Sequence, residues 1–243
     1  MPTEVEQTDG VGEAGQGAGM TSTDMLPISV VVPTHNRAGS LARCINALPH
    51  DVEIVVVDDG STDWTREVVE RTKHRQLRYV KQPNGGPASA RNSGIRKSHG
   101  EIVAFTDDDC VPAPGWIHNL ASRLRREPDS IGGVGGRVCP LGEGLISRYS
   151  TFHHILEPPP SLSYLVTANC AYRREALELS GGFDESIRHP GGEDPELSFR
   201  LGKLGYRFVY EPSAVVYHDY RESVVDFART FYRYGKGCSH VVA

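Results

Sequence analysis

Three apolar runs in this chain stop abruptly at polar or acidic residues, and that repeated pattern narrows the fold more than any other feature. Ile28 to Val32 stops at Pro33-Thr34, Val52 to Val57 at Asp58-Asp59, and Ile102 to Phe105 at a triplet, Asp107-Asp108-Asp109. Runs that are continuous rather than alternating suit strands buried on both faces of a parallel sheet. Between them lie segments with helical spacing, such as Leu41, Cys44, Ile45 and Leu48. The order predicts strand-helix-strand-helix-strand, with every polar loop at the carboxyl edge of the sheet, where open α/β folds bind ligands. The fold class is therefore α/β, with a mostly parallel, Rossmann-like sheet flanked by helices and a smaller region after it.

The acidic triplet carries the sharpest chemistry. On an extended strand end, Asp107 and Asp109 would face one side and Asp108 the other. Two converging carboxylates favour a hard divalent cation, Mg²⁺ or Mn²⁺, with positions left open for phosphate oxygens. A solvated acidic turn is the alternative reading. Upstream, Asn84-Gly85-Gly86-Pro87 opens a helix that carries Arg91 and Asn92. Paired glycines let another backbone approach, Pro87 suits a first helical position, and the helix start would offer N–H groups to an anion. In the second half, Gly191-Gly192-Glu193-Asp194-Pro195 leads into an amphipathic helix from Glu196 to Lys203, with Asp194 as its N-cap. A carboxylate held at a helix N-terminus stays ionised, so capping and catalysis are compatible there. Two short strands, Tyr206 to Tyr210 and Ala214 to Tyr217, bring His218 to a strand end as a structural histidine or a ligand.

Length and charge set further bounds. The 243 residues are enough for one large domain with a real core, and a formal net charge of −5 argues against a nucleic-acid partner. Five cysteines without a C-x-x-C pair read as reduced thiols in a cytoplasmic protein. No apolar run approaches the roughly 20 residues of a membrane span. Residues 1–25 read as a disordered leader without a signal-peptide pattern. Residues 26–127 form a nucleotide-handling half, 128–220 an acceptor-handling and catalytic half, and 221–243 an amphipathic helix with its tail. That helix has a stripe of Val224, Phe227, Ala228, Phe231 and Tyr232, and a basic flank of Arg221, Arg229, Arg233 and Lys236. Its stripe either packs on the domain or makes peripheral contact with the inner face of an anionic membrane or with a lipid-linked acceptor.

In their order and spacing, V-V-V-P-T-H-N-R, V-V-V-D-D-G-S-T-D, G-G-P-A-S-A-R-N-S-G, F-T-D-D-D-C and G-G-E-D-P-E-L resemble the family 2 glycosyltransferases of the GT-A fold, from about Ile28 to Tyr217. The resemblance implies an inverting enzyme that moves one sugar from a nucleoside-diphosphate sugar, with UDP or dTDP favoured, to an acceptor hydroxyl. It implies that Pro33, Thr34 and Arg37 line the nucleotide pocket and that Asp58 or Asp59 accepts from the base or ribose. Gly86, Arg91 and Asn92 would flank the nucleotide and diphosphate. Asp107 and Asp109 match the family's D-x-D, with Asp108 in the middle position, so Asp109, Asp107 and His218 become the metal candidates for Mn²⁺ or Mg²⁺. Asp194, beside Glu193, matches the general base of the E-D motif. Trp116 would either stack on a sugar or belong to the core, and Tyr164, Thr167 and Asn169 fall in the sugar and acceptor wall. Two departures matter. The middle residue of D-x-D is another Asp, and neither a Q-x-x-R-W motif nor long membrane spans follow, which favours single transfer over polymerisation. The alternatives are a sugar nucleotidyltransferase, which would carry a Gly-rich basic loop after the first strand, and a non-catalytic nucleotide-sugar-binding module.

Overall fold

The computed structural model describes residues 27–239 and 241, so the expected leader lies outside the described residues. The first half alternates as its pattern predicts: β1 (Ile28–Thr34), α1 (Ala38–Ala47), β2 (Glu53–Asp58), α2 (Thr65–Arg71), β3 (Leu77–Lys81), α3 (Pro87–Lys97) and β4 (Ile102–Phe105). Then come β5 (Cys110–Pro112), α4 (Trp116–Arg126), β6 (Ile131–Pro140), α5 (Leu145–Phe152), β7 (Cys170–Arg173), α6 (Arg174–Ser180), α7 (Glu193–Lys203), β8 (Arg207–His218) and α8 (Val224–Cys238).

All eight strands join one sheet in the order β3-β2-β1-β4-β7-β6-β8-β5. The strands β3, β2, β1 and β4 are parallel, and β7 then pairs antiparallel with β4, so both halves of the chain share this sheet. Period-2 alternation explains the continuous apolar runs. Val30, Val32, Ile54, Val56, Ile102 and Ala104 pack against α1 and α4 on one face. Val31, Val55, Val57, Val103 and Phe105 pack on the other face with residues of α3, α6 and α7. Burying each such side chain contributes about 1.5–3 kcal/mol, so no position in these runs can turn polar cheaply.

The second half departs from the expected elements in three places. The two short strands before His218 are one strand, β8, parallel to β6, with an irregularity opposite Gly136 and Arg137. Asp194 lies inside the first turn of α7, not at its N-cap, which is Gly192. The face of α8 is also rotated from the expected stripe: Phe227, Thr230, Phe231 and Tyr234 face a cavity, while Val224 and Tyr232 are each 66% exposed. The cause is a backbone contact. A Cβ on Gly237 would lie 2.4 Å from the Pro190 carbonyl, so α8 sits directly on the His189–Gly192 loop. Only a residue without a side chain permits that approach.

Candidate active site

A cavity of about 830 Å³ opens at the carboxyl edge of β1, β2 and β4. The loops after those strands form its base, and α5, α8 and the Arg188–Pro190 segment form its outer wall.

The acidic triplet forms a turn, closed by the Cys110 N–H donating to the Asp107 carbonyl at 3.0 Å. The extended i, i+2 arrangement expected for Asp107 and Asp109 is therefore absent, and the three carboxylates divide between two arginines, Arg91 and Arg37. Asp107 accepts from Arg91 at 3.0 Å. Asp108 does not point away. It is buried, accepts from Thr34 Oγ1 at 2.7 Å, and pairs with Arg37 at 3.2 Å. Asp109 pairs with Arg37 and lies 3.3 Å from His218 Nε2. Neighbouring residues thus ionise differently. Burial pushes Asp108 up to about 7 against the pull of Arg37. Burial also raises Asp109, but His218 and Arg37 more than reverse it and hold this carboxyl well below its usual range. Burial, the largest single influence, lowers His218, but the charge and hydrogen bond of Asp109, with Asp107 nearby, leave it raised overall.

Asp109 and His218 fit a divalent cation. Their ligand atoms, with the Cys110 sulfur, lie within 4.8 Å of one another, and His218 Nδ1 is buried without a hydrogen-bond partner. The Cys110 thiol is pushed well up by burial and nearby carboxylates, so it stays protonated and is a poor ligand for a hard ion. Asp107 stands outside that group, tied to Arg91.

At the end of the cavity formed by the loops after β1 and β2 and the start of α3, Pro33, Thr34, Arg37, Asp59, Gly86 and Arg91 all contribute to the lining. Asp59 holds the loop before α3 by accepting from the Gly85 and Gly86 N–H groups at 2.9 Å and from Gln82 Nε2 at 2.8 Å. Gly86 has φ +91°, a left-handed conformation that places Pro87 as the first residue of α3. The Gly85 and Gly86 N–H groups, just ahead of the helix start, are therefore already used. Asp58 and Asn92 do not line the cavity. Asp58 turns into the protein, accepting from Ser61 N–H at 2.6 Å and from the Tyr79 hydroxyl. Asn92 braces the turn at Phe183, donating to its carbonyl and accepting from its N–H, both at 2.8 Å. Two residues missed by sequence reasoning, His35 and Asn84, complete this end. His35 Nδ1 lies 2.9 Å from the Asp59 carbonyl, and Asn84 Nδ2 donates to the same oxygen at 3.0 Å.

At the start of α7, Thr167 holds Asp194, its N–H donating to Oδ2 at 3.0 Å and its hydroxyl to Oδ1 at 2.9 Å. Burial, reinforced by neighbouring Glu193, pushes Asp194 up to about 7 despite Arg91 and the Thr167 N–H. The expectation of a permanently ionised cap is thus corrected, because desolvation outweighs the helix terminus. Glu193 is buried, pairs with Arg91 at 2.9 Å and accepts from Gly191 N–H at 2.7 Å. Arg91 consequently bridges Asp107 and Glu193 and joins the acidic turn to the start of α7. Asp194 is half-buried and does not itself line the cavity, where Tyr234 and the Arg188–Pro190 segment form the nearby wall.

The sugar-stacking reading of Trp116 fails. Trp116 is 1% exposed and donates through Nε1 to Asn169 Oδ1 at 2.6 Å. Asn169, equally buried, donates to the carbonyls of Arg137 and Ala214, so both residues build the core and neither meets the cavity. Thr167 is buried behind Asp194, and Tyr164 packs edge-on against Phe199 outside the lining. Of the other lining residues, Phe227 and Phe231 belong to the expected apolar stripe and Arg221 to its basic flank, while Arg188, Thr230 and Tyr234 were not foreseen. The signal for Arg188 was weak: Arg188-His189 lies between two Gly-Gly pairs.

A family model described as glycosyl transferase family 2 matches residues 29–180. Over 212 residues the chain is 33% identical to the pre-mycofactocin glycosyltransferase of Mycobacterium tuberculosis, which covers 82% of this chain and 44% of that protein. It is 32% identical over 230 residues to the validoxylamine A glucosyltransferase of Streptomyces hygroscopicus, covering 76% of this chain and 53% of the relative. The chain thus spans about half the length of these relatives. Among solved structures it resembles a mannosyltransferase from Pyrobaculum calidifontis in complex with GDP-Man and Mn²⁺, with a TM-score of 0.68 and 25% identity. That match covers 91% of this chain and 66% of the other, and its GT-A architecture agrees with the sheet described above.

Proposed function

The chain belongs to glycosyl transferase family 2, and on that premise we propose that it moves one sugar from a nucleoside-diphosphate sugar to an acceptor hydroxyl, with inversion and with the help of a divalent cation. The observation that carries this reading is the ion-pair chain Asp107–Arg91–Glu193, which couples the acidic turn to the helix bearing Asp194. Leaving-group chemistry and acceptor activation need to meet in one place, and this network joins the groups suited to each.

Asp109 and His218 are the residues that would hold Mn²⁺ or Mg²⁺, and Asp107 would face the donor from its pairing with Arg91. Such a cation supplies charge stabilisation to a departing nucleoside diphosphate. Arg37 orients Asp108 and Asp109, while Asp59 keeps the Gly85–Gly86 loop open beside the nucleotide. Asp194 would take the acceptor proton. Its carboxyl, raised to about 7, is basic enough to remove a proton yet substantially ionised at neutral pH, and Thr167 fixes its direction. Attack from the face opposite the leaving group inverts the anomeric centre.

The test is release of nucleoside diphosphate from a panel of UDP-, dTDP- and GDP-sugars with Mn²⁺ or Mg²⁺. Donor-specific, metal-dependent release supports the assignment. Pyrophosphate-dependent chemistry would favour a nucleotidyltransferase, and binding without turnover a non-catalytic module.

A further inference from the structure

The cavity is polar on one side and apolar on the other. Its base carries Asp107, Asp108, Asp109, Arg37, Asp59 and Asn84. Its outer wall carries Ile146 from α5, Ile155 and Leu156 from the segment that follows, and Phe227 and Phe231 from α8. Arg188, Arg221 and Arg233 face the same space and suit a donor's phosphates, so what the outer wall adds is apolar surface. Phe231 keeps 40% of its surface exposed there, a ring with area left to cover. The wall is held in place by its own contacts. Glu222 accepts from the Ile146 and Ser147 N–H groups at 2.8 and 3.0 Å, which fixes the start of α5 beside α8. Tyr149 meets Phe227 edge-on with ring centres 5.3 Å apart, Phe227 lies 4.6 Å from Phe231, and Phe231 lies 6.0 Å from Tyr234. At the inner end, a Cβ on Gly191 would lie 2.8 Å from Tyr234 Cα, so this aromatic series stops against the loop that leads into α7 and Asp194.

The chemistry of this wall separates it from the nucleotide. A base, ribose or diphosphate needs hydrogen-bonding partners, which the base of the cavity supplies and Ile, Leu and Phe side chains do not. A carbohydrate chain fits no better. Sugar stacking uses a flat open ring face, whereas successive rings here cross at 90°, 47° and 54°. The aliphatic hydroxyls among the lining residues of α5 and α8 are only those of Ser150 and Thr230. An uneven surface of ring edges, ring faces and branched side chains suits a flexible aliphatic chain, whose burial needs no fixed direction. We propose that this wall receives an aliphatic chain belonging to the acceptor, with the receiving hydroxyl at the chain's polar end, towards the loop before Asp194. The inference rests on the glycosyl-transfer reading for the meaning of "acceptor", while binding of the chain is measurable without it.

The experiment uses the full chain and neutral probes without a sugar ring: 1-O-methyl-, 1-O-butyl- and 1-O-hexylglycerol. They are titrated by calorimetry below the concentrations at which they aggregate, with and without saturating UDP or GDP and Mn²⁺. Affinity is expected to rise about two- to fourfold for each added methylene in both conditions, the scale of buried aliphatic surface. Phe231→Ser, at a partly exposed position, should weaken hexylglycerol binding by about tenfold. Phe152→Glu with Val225→Glu alters apolar side chains outside the lining and should leave that binding as it is. If Phe231→Ser does not fold, the chain-length series in the unaltered protein decides. Affinity independent of chain length would overturn the proposal. So would displacement of hexylglycerol by nucleoside diphosphate, which assigns the wall to the donor, or tighter binding of cellobiose than of hexylglycerol, which assigns it to a carbohydrate. Loss of binding in the Phe152→Glu, Val225→Glu variant would also overturn it, by moving the contact to the outer surface. Failure of nucleoside diphosphate to bind would count against glycosyl transfer, while the chain-length series would still decide whether the wall takes an aliphatic chain.

Discussion

Asp108 and Asp109 are adjacent and share Arg37, yet one carboxyl is pushed towards neutrality and the other held ionised, because only Asp109 also faces His218. The same reasoning makes Asp194 testable. Asp194→Asn keeps the shape of the side chain and its contact with Thr167 but removes the basic oxygen, so transfer should fall by about 10²–10⁴-fold while nucleoside diphosphate still binds in a thermal-shift assay. A base works when deprotonated. With its carboxyl at about 7, kcat/KM for transfer should be full above that pH and fall as pH drops through it. A pH profile flat between 5 and 8 would remove Asp194 from the role. Asn169 gives the contrasting case, a polar residue whose work is structural. Asn169→Ala strands the Trp116 N–H and frees the acceptor carbonyls of Arg137 and Ala214, so stability should fall by about 2–4 kcal/mol in urea denaturation. Residue type alone leaves Trp116 between sugar and core and puts Asn169 in the sugar and acceptor wall, because it does not reveal which buried partner a polar edge will find.

Elements whose signals are local were the legible ones. The strands β1, β2 and β4 announced themselves by continuous apolar runs, and α3 and α4 by a first-position proline and by helical spacing. By contrast, β5 has only three residues, ending in Pro112, and takes its place from pairing with β8, which no local pattern encodes. The facing of α8 was misjudged for a related reason, since its orientation is set by contact with a loop some 45 residues earlier in sequence. Two substitutions in that helix separate contact from propensity. Gly237→Val places branched carbon against the Pro190 and His189 carbonyls, so α8 should lift from the loop, with a loss of about 1–3 kcal/mol and faster amide exchange across 224–238. Gly235→Ala, two residues away with open space around it, should instead gain about 0.5–1 kcal/mol from helix propensity. Equal responses would mean that α8 does not rest on the loop.

Over the whole molecule, the negative net charge and the character of the cavity rim point in opposite directions. Glu222 accepts from the Ile146 and Ser147 N–H groups, and Tyr149 packs edge-on against Phe227, so the starts of α5 and α8 are held side by side. Together they expose Leu145 (74%), Phe152 (79%), Val224 (66%) and Val225 (58%). The same stretches of chain carry the exposed cations Arg148, Arg221, Arg233 and Lys236, and no helix among the described residues is long and apolar enough to cross a membrane. An apolar ridge with a basic border suits the interface of an anionic bilayer, where each Lys or Arg near the surface adds about 1 kcal/mol. Because a net charge of −5 repels such a surface, attraction must come from this rim rather than from the molecule as a whole. The protein is therefore expected to co-sediment with phosphatidylglycerol vesicles and not with phosphatidylcholine vesicles. Binding should weaken as added salt shortens the screening length, which is about 10 Å at 0.1 M. Phe152→Glu combined with Val225→Glu should abolish it without changing nucleotide uptake, since neither side chain lines the cavity. Retained binding in that double variant, or equal binding to both vesicle types, would show that the rim is not the contact surface.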